Sequence, residues 1–142
     1  MIDDLNATVE GYHDALDAFG RGASEPIKSL YSHRDDVTLA NPFGPPVLGW
    51  NKVSEALDFA SARFRDGGVS RFESIASHQA AELACIVEME HWRAKVSGRD
   101  VVAPWDLRVT TLFRREDDDW KVIHRHADPI ATPHPDGPLR AS

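Results

Sequence analysis

Residues Arg99–Pro129, RDVVAPWDLRVTTLFRREDDDWKVIHRHADP, decide the fold of this chain. Two segments within them, Leu107–Arg115 and Trp120–Ala127, are rich in β-branched and aromatic side chains, which suit a pleated and half-buried surface. The intervening segment, Glu116–Asp119, is polar and of turn-forming composition. The stretch therefore predicts a long antiparallel hairpin.

The predicted register pairs Arg115 with Trp120, and consequently Thr110 with Arg125. Side chains alternate between the two faces of a sheet, so one face receives Arg108, Thr110, Leu112, Ile123 and Arg125. The other face receives Val109, Phe113, Trp120, Val122, His124 and His126. Neither set is typical of a face open to solvent, so we expect the hairpin to be covered on both sides. Unpaired buried charges are costly, so the two arginines need partners.

Length and charge limit the possible functions. The 142 residues carry a net charge of −7, which argues against nucleic acid or an anionic membrane as a partner. We expect one domain over residues 1–130, followed by a loose, proline-rich tail over 131–142. Cys85 is the only cysteine, and the N-terminus has no basic region followed by an apolar core. These two features favour a cytoplasmic location.

Periodicity predicts three helices and one short strand, followed by four long strands. The predicted helices cover residues 2–19, about 25–31 with Ser24 as cap, and 51–65 with Asn51 as cap. The predicted strands cover residues 36–40, 69–79, 82–96 and the two arms of the hairpin. The motif Asp66-Gly67-Gly68 is expected to break the third helix. Helices at one end and consecutive long strands at the other indicate an α+β fold.

Two polar side chains lie at positions that the pattern marks as apolar. Glu90 shares a strand face with Ile86 and Trp92, so it is a natural partner for one of the arginines. This carboxylate is interpreted as a structural ion pair, as a solvated strand end, or as a functional group tuned by burial. Tyr12 lies on the apolar face of the first helix, where it is either a core residue or a donor to a ligand.

The pair His124 and His126 has the i, i+2 spacing of possible metal ligands. No third ligand is evident nearby, so we interpret both as packing residues and predict no metal and no cofactor.

The order of elements resembles the cone-shaped fold of the nuclear-transport-factor-2-like superfamily, which includes SnoaL-like cyclases and ketosteroid isomerases. Local motifs add to the resemblance. Tyr12-His-Asp-Ala-Leu resembles the isomerase helix that carries an oxyanion donor, at Tyr12. The stretch Asp36–Gly44 resembles the segment of the general base, and Gly98–Asp106 resembles the approach to a second oxyanion donor, at Asp106. The segments Leu107–Thr110 and Trp120–Asp128 resemble strands of SnoaL-like proteins.

The resemblance implies a curved sheet around an open-ended pocket, and a homodimer formed through the other sheet face. Asn41 occupies the position of the general base, and an amide cannot accept a proton at neutral pH, so steroid isomerisation is not expected. We assign Tyr12, Asn41, Glu90 and Asp106 as candidate catalytic residues. Trp92, Arg108, Thr110 and Arg125 are candidate ligand-binding residues.

Three functions remain open at this stage. The first is a cofactor-free isomerase, lyase or hydrolase acting on a small cyclic or acidic metabolite. The second is a non-catalytic module that binds a small ligand, and the third is a dimerisation domain. A pocket whose charges are all paired would favour the last.

Overall fold

The computed structural model describes residues 4–139 and has the predicted α+β architecture, with N-terminal helices against a curved, unclosed sheet. The helices are α1 (Asp4–Phe19), α2 (Glu25–Leu30) and α3 (Trp50–Ser61). The strands are β1 (Thr38–Ala40), β2 (Val47–Leu48), β3 (Phe64–Gln79), β4 (Leu83–Val96), β5 (Ala103–Glu116) and β6 (Asp119–Asp128). No helix among residues 4–139 is long and apolar enough to cross a membrane.

The six strands form one sheet in the order β2-β1-β6-β5-β4-β3. The long strands β3 to β6 are consecutive antiparallel neighbours, whereas β1 runs parallel to β6. The predicted β5–β6 hairpin is confirmed, with Arg115 opposite Trp120. Asp117 and Asp118 both have positive φ values, as in the tight type I′ turns that match the twist of a hairpin.

The predicted register of the hairpin is correct from Arg115 to Phe113. It is wrong from Leu112 to Arg108, because the pairing shifts by one residue between Phe113 and Leu112. Phe113 pairs with Val122 and Leu112 pairs with His124, so Ile123 is an extra residue in β6. Such a bulge changes which side chains point to each face. Thr110 consequently lies opposite His126, and Arg125 lies opposite Thr111.

The predicted assignment of side chains to the inner and outer faces of the hairpin is also wrong in part. Four side chains assigned to an outer face are buried in the core: Val109, Phe113, Trp120 and Val122. Arg125 is buried as well, as expected. Arg108 is exposed and Thr110 is half-buried, on the alternate positions of β5.

Further boundaries also differ from the prediction. The segment Asp66-Gly67-Gly68 lies inside β3 rather than between elements, at a shift of register against β4. A Cβ at Gly67 would lie 2.0 Å from the Arg93 carbonyl oxygen, so glycine is required there by close backbone packing. Helix α3 begins after Gly49, with φ of 92°, and not after Asn51.

The buried core lies between the helices and the concave face of the sheet. The apolar face of α1 supplies Leu5, Tyr12, Ala15, Leu16 and Phe19, and α3 supplies Val53, Leu57 and Ala60. After Asp128 the described chain contains no helix or strand up to residue 139. The last three residues of the predicted tail, 140–142, and the first two of the predicted helix, 2 and 3, lie outside the described residues.

Candidate functional site

A buried ion pair crosses the concave face of the sheet. Nη1 of Arg125 donates to Oε2 of Glu90 and Nη2 donates to Oε1, both at 2.8 Å. Glu90 has no exposed surface and Arg125 is 6% exposed. The predicted ion pair between Glu90 and one of the arginines is therefore confirmed, and Arg125 is the partner.

Three neighbours complete the hydrogen bonding of this pair. Trp92 Nε1 donates to Oε1 of Glu90 at 3.0 Å. Arg125 Nη1 also donates to the hydroxyl of Tyr12 at 2.8 Å, and that hydroxyl shares a further hydrogen bond with Thr111 at 3.1 Å. Bidentate, charge-assisted contacts of this kind fix geometry as well as charge. Tyr12 thus has a satisfied hydroxyl in the core.

Burial governs the ionisation of the groups around the pair. It raises the pKa of Tyr12 above the ordinary tyrosine value, although the adjacent Arg125 guanidinium partly opposes the shift. Burial would lower the pKa of Arg125, but the Glu90 carboxylate more than compensates and holds it above its usual range. The Tyr12 phenol therefore stays neutral at pH 7, and the Arg125 guanidinium stays charged.

A cavity of about 190 Å³ opens beside Arg125. The side chains around it are overwhelmingly apolar and come from the three helices, from strands β1 and β3 to β6, and from the segments that follow β1 and β6. They are Leu16, Phe19, Ile27, Leu39, Asn41, Pro42, Phe43, Leu57, Ala60, Phe64, Trp92, Trp105, Leu107, Arg125, Ala127 and Pro129. Among these, Arg125 is the only charged residue. The predicted pocket residues Asn41, Trp92 and Arg125 all line it.

Aromatic rings form one wall of the cavity. Phe64, Trp92 and Trp105 lie with near-parallel planes and centroids 5.4 to 5.8 Å apart. Phe43 meets Phe64 edge-on at 5.7 Å and Phe59 at 6.0 Å. Because Phe43 is 40% exposed and also lines the cavity, it forms part of the entrance.

Asn41 begins the loop that carries Phe43. Its side-chain oxygen accepts a hydrogen bond from the backbone N–H of Phe43 at 3.1 Å. This is an Asx turn, in which the amide side chain holds its own loop. Asn41 therefore borders the cavity, but its carbonyl oxygen is already engaged by the backbone.

Three other predicted site residues lie away from the cavity. Arg108 donates from Nε to Asp128 at 2.7 Å and is exposed. Asp106 is hydrogen-bonded to Nδ1 of His91 at 2.7 Å. Thr110 does not line the cavity, because the bulge in β6 reverses the parity on which its placement depended. The prediction that Arg108 and Thr110 face the pocket of Arg125 is wrong.

His124 and His126 also point away from the buried pair. His124 Nδ1 is hydrogen-bonded to the Thr38 hydroxyl at 2.7 Å, and His126 lies 3.2 Å from Asp128. Burial lowers the pKa of His124 below the ordinary histidine value. Within residues 4–139, no cluster of three or more His, Cys, Asp or Glu side chains is arranged to hold a metal ion.

The sequence did not single out a second buried carboxylate, Glu88. Both of its oxygens lie within 3.1 Å of Nε2 of His13, and the His13 ring stacks on Phe72 at 3.6 Å. The signal was available, because Glu88 has the same strand parity as Glu90. His13 was overlooked because it lies on helix α1, far from β4 in the sequence. Only the tertiary packing of α1 on the sheet brings it to Glu88.

Comparison with known proteins identifies the family. The model of the SnoaL-like domain matches residues 5–132, so the chain belongs to the SnoaL-like domain family. None of the curated proteins matches it significantly.

Solved structures of similar fold belong to the wider superfamily. A nuclear transport factor 2-like superfamily protein from Salmonella enterica has 14% identity and a TM-score of 0.74, covering 96% of this chain and 95% of its own. A ketosteroid isomerase-like protein from Erwinia carotovora has 19% identity and a TM-score of 0.72, covering 89% and 94%. A protein with a cystatin-like fold from Novosphingobium aromaticivorans has 15% identity and a TM-score of 0.65, covering 91% and 81%. At these identities the similarity establishes the fold alone.

Proposed function

We propose that this SnoaL-like chain binds a small, largely apolar molecule in the cavity beside Arg125. The observation that carries the proposal is the lining itself, which is apolar and aromatic with a single charged group. Concave, apolar pockets with few polar groups are typical of small-molecule sites. An engineered cavity of about 150 Å³ is large enough for benzene, so about 190 Å³ accommodates one substituted ring.

Catalysis by Glu90 has weaker support than binding. Oxygen Oε1 accepts from both Arg125 and Trp92, and Oε2 accepts from Arg125. Among the described residues, no aspartate, glutamate or histidine lines the cavity. An isomerase, lyase or hydrolase needs a group that reaches and moves a proton of the substrate. We therefore favour a ligand-binding module over an enzyme, and Tyr12, Asn41 and Glu90 become structural supports of the pocket. The pairing of Arg125 with Glu90 also suits a dimerisation domain, but such a domain has no need of an apolar cavity, so we favour ligand binding.

A thermal-shift screen with single-ring compounds tests the binding proposal. A bound ligand raises the unfolding temperature through mass action. Ala60 lines the cavity and is 2% exposed, so Ala60→Leu should fill space and reduce the shift. Ala62→Leu, at an exposed position two residues away, is the matched control and should keep the shift. Shifts that are equal in both variants would place the ligand elsewhere.

We also propose that the chain is a homodimer through the outer face of β4 and β5. Four apolar or weakly polar side chains are half-buried at the outward positions of these strands: Cys85, Val87, Met89 and Leu112. The outward side of a solvated antiparallel sheet is normally polar, so a second copy is a suitable cover. The lone cysteine, Cys85, favours a reducing compartment, and we propose the cytoplasm.

A further inference from the structure

The guanidinium of Arg125 retains donors that the protein does not use. An arginine side chain has five N–H groups. Two on Nη1 donate to Tyr12 and Glu90, and one on Nη2 donates to Glu90. Among the described residues, Nε–H and the second N–H of Nη2 have no partner. These two groups form one edge of the planar guanidinium, opposite to the Nη1 side.

Nε of Arg125 keeps access to open space. In the described part of the chain, two side-chain polar atoms have neither solvent-accessible surface nor a hydrogen-bond partner. They are Tyr31 Oη and Trp120 Nε1. Nε of Arg125 is not among them although it has no partner. Arg125 is 6% exposed and lines the cavity, so we infer that its Nε faces the cavity.

The positive charge of Arg125 is already balanced by the carboxylate of Glu90, although two of its N–H donors remain unused. Glu90 contacts the guanidinium through both oxygens at 2.8 Å, so the buried pair has no net charge. A carboxylate entering the cavity would lose its hydration without gaining an unbalanced cation. Burying an ion under those conditions is costly, whereas a neutral acceptor that meets a donor is tolerated.

We propose that the ligand is an uncharged single-ring compound with a carbonyl-type oxygen, and that Arg125 donates to this oxygen from Nε and Nη2. Glu90 is the positioning residue that fixes the guanidinium and excludes carboxylates by neutralising it. This inference rests on the proposed function, because it names the ligand chemistry of the same cavity. It differs from the acidic metabolite that the sequence left open as a ligand.

Three compounds of nearly the same shape provide the test: acetophenone, α-methylstyrene and benzoate. The hydrocarbon replaces C=O by C=CH₂, and benzoate replaces the methyl ketone by a carboxylate. Wild-type protein is expected to bind acetophenone and α-methylstyrene, and to bind benzoate more weakly than acetophenone. Isotope-edited infrared spectra of bound acetophenone, labelled at the carbonyl carbon, report hydrogen bonding directly. We expect the carbonyl band at a lower frequency than in hexane.

Glu90→Gln tests the role of charge balance. Removing the carboxylate charge leaves the guanidinium unbalanced, so the affinity for benzoate relative to acetophenone should rise by about tenfold or more. The matched control is Asp128→Asn, which makes the same charge change beside Arg108 at a side chain that does not line the cavity. The control should leave the ratio of affinities unchanged.

The outcomes separate the two proposals. A carbonyl band at its hexane frequency, or benzoate binding to wild type as tightly as acetophenone, overturns the inference about Arg125 while the pocket still binds. A rise in relative benzoate affinity that is equal in Glu90→Gln and Asp128→Asn overturns the role of Glu90. If Glu90→Gln does not fold, the wild-type infrared spectrum decides. If neither acetophenone nor α-methylstyrene binds, both the ligand class and the proposed function are wrong.

Discussion

Arg125 on β6 and Glu90 on β4 meet over the intervening strand β5, with two nitrogen–oxygen distances of 2.8 Å. Arg125 lies opposite Thr111 on β5, and Thr111 lies opposite Ile86 on β4, four residues from Glu90. In a flat sheet the two Cα atoms would be about 16 Å apart, given strand spacings of about 4.8 Å and rises of about 3.3 Å per residue. The curvature of the sheet therefore helps to bring the charges together, and the pair braces that curvature.

The ion pair should show strong energetic coupling. Glu90→Leu or Arg125→Met alone leaves one buried charge unpaired, and we expect each to lower the free energy of unfolding by about 3–5 kcal/mol. The double variant buries neither charge and should cost clearly less than the sum of the two. Urea denaturation of the four proteins provides the measurement. Additive losses would mean that the two side chains do not interact in solution.

Two buried tyrosines should respond to loss of their hydroxyl groups with opposite signs. Tyr12 accepts from Arg125 and bonds to Thr111, so Tyr12→Phe should lower the free energy of unfolding by about 1–3 kcal/mol. Tyr31 is 1% exposed, and within residues 4–139 its hydroxyl has no hydrogen-bond partner. Tyr31→Phe removes this unsatisfied group and should raise stability, by about 1 kcal/mol. Denaturation curves that shift in the same direction for both variants would contradict the assigned hydrogen bonds.

Steroid isomerase activity should be absent from the wild type and from Asn41→Asp. The Asn41 side chain holds the backbone of Phe43, and an aspartate at this position can keep the same turn. A cavity of about 190 Å³ is also small for a four-ring ligand. Conversion of a Δ5-3-ketosteroid is followed by the absorbance of the conjugated product. Robust conversion by either protein would show that the cavity opens further and contains a working base.

Dimerisation should depend on the outer sheet face. Val87→Arg places a charge among the half-buried apolar side chains of β4 and should convert the proposed dimer to a monomer at micromolar concentration. Asn6→Arg makes the same charge change on an exposed position of α1 and should leave the dimer intact. Sedimentation velocity distinguishes the two states. A wild-type protein that sediments only as a monomer would contradict the proposed interface.

The parts of the fold that follow from local pattern were predictable from the sequence. Glu90 was placed inward correctly because β4 pairs with β5 without a register shift, so simple alternation holds along it. The faces of Arg108 and Thr110 were assigned wrongly because they were inferred from their pairing with β6, where Ile123 is an extra residue. No feature of the sequence marks that bulge, since Ile123 is β-branched like Val122 and suits a regular strand equally well.

The cavity itself was less predictable, because distant segments build it. Phe43 comes from a loop, Phe64 from the start of β3, and Trp105 from the start of β5. Their convergence depends on the curvature of the sheet and on the packing of α3, which are tertiary properties. Sequence parity identified only the residues on regular strands, so it found Arg125 and Trp92 and missed most of the aromatic wall.

The most direct test of the account is an NMR titration of the indole N–H resonances with acetophenone. The chain has four tryptophans: Trp92 and Trp105 line the cavity, whereas Trp50 and Trp120 do not. Binding in the cavity should shift the Trp92 and Trp105 resonances in a saturable manner and leave those of Trp50 and Trp120 in place. The absence of any shift, or equal shifts at all four, would contradict the claim that the cavity beside Arg125 is the binding site.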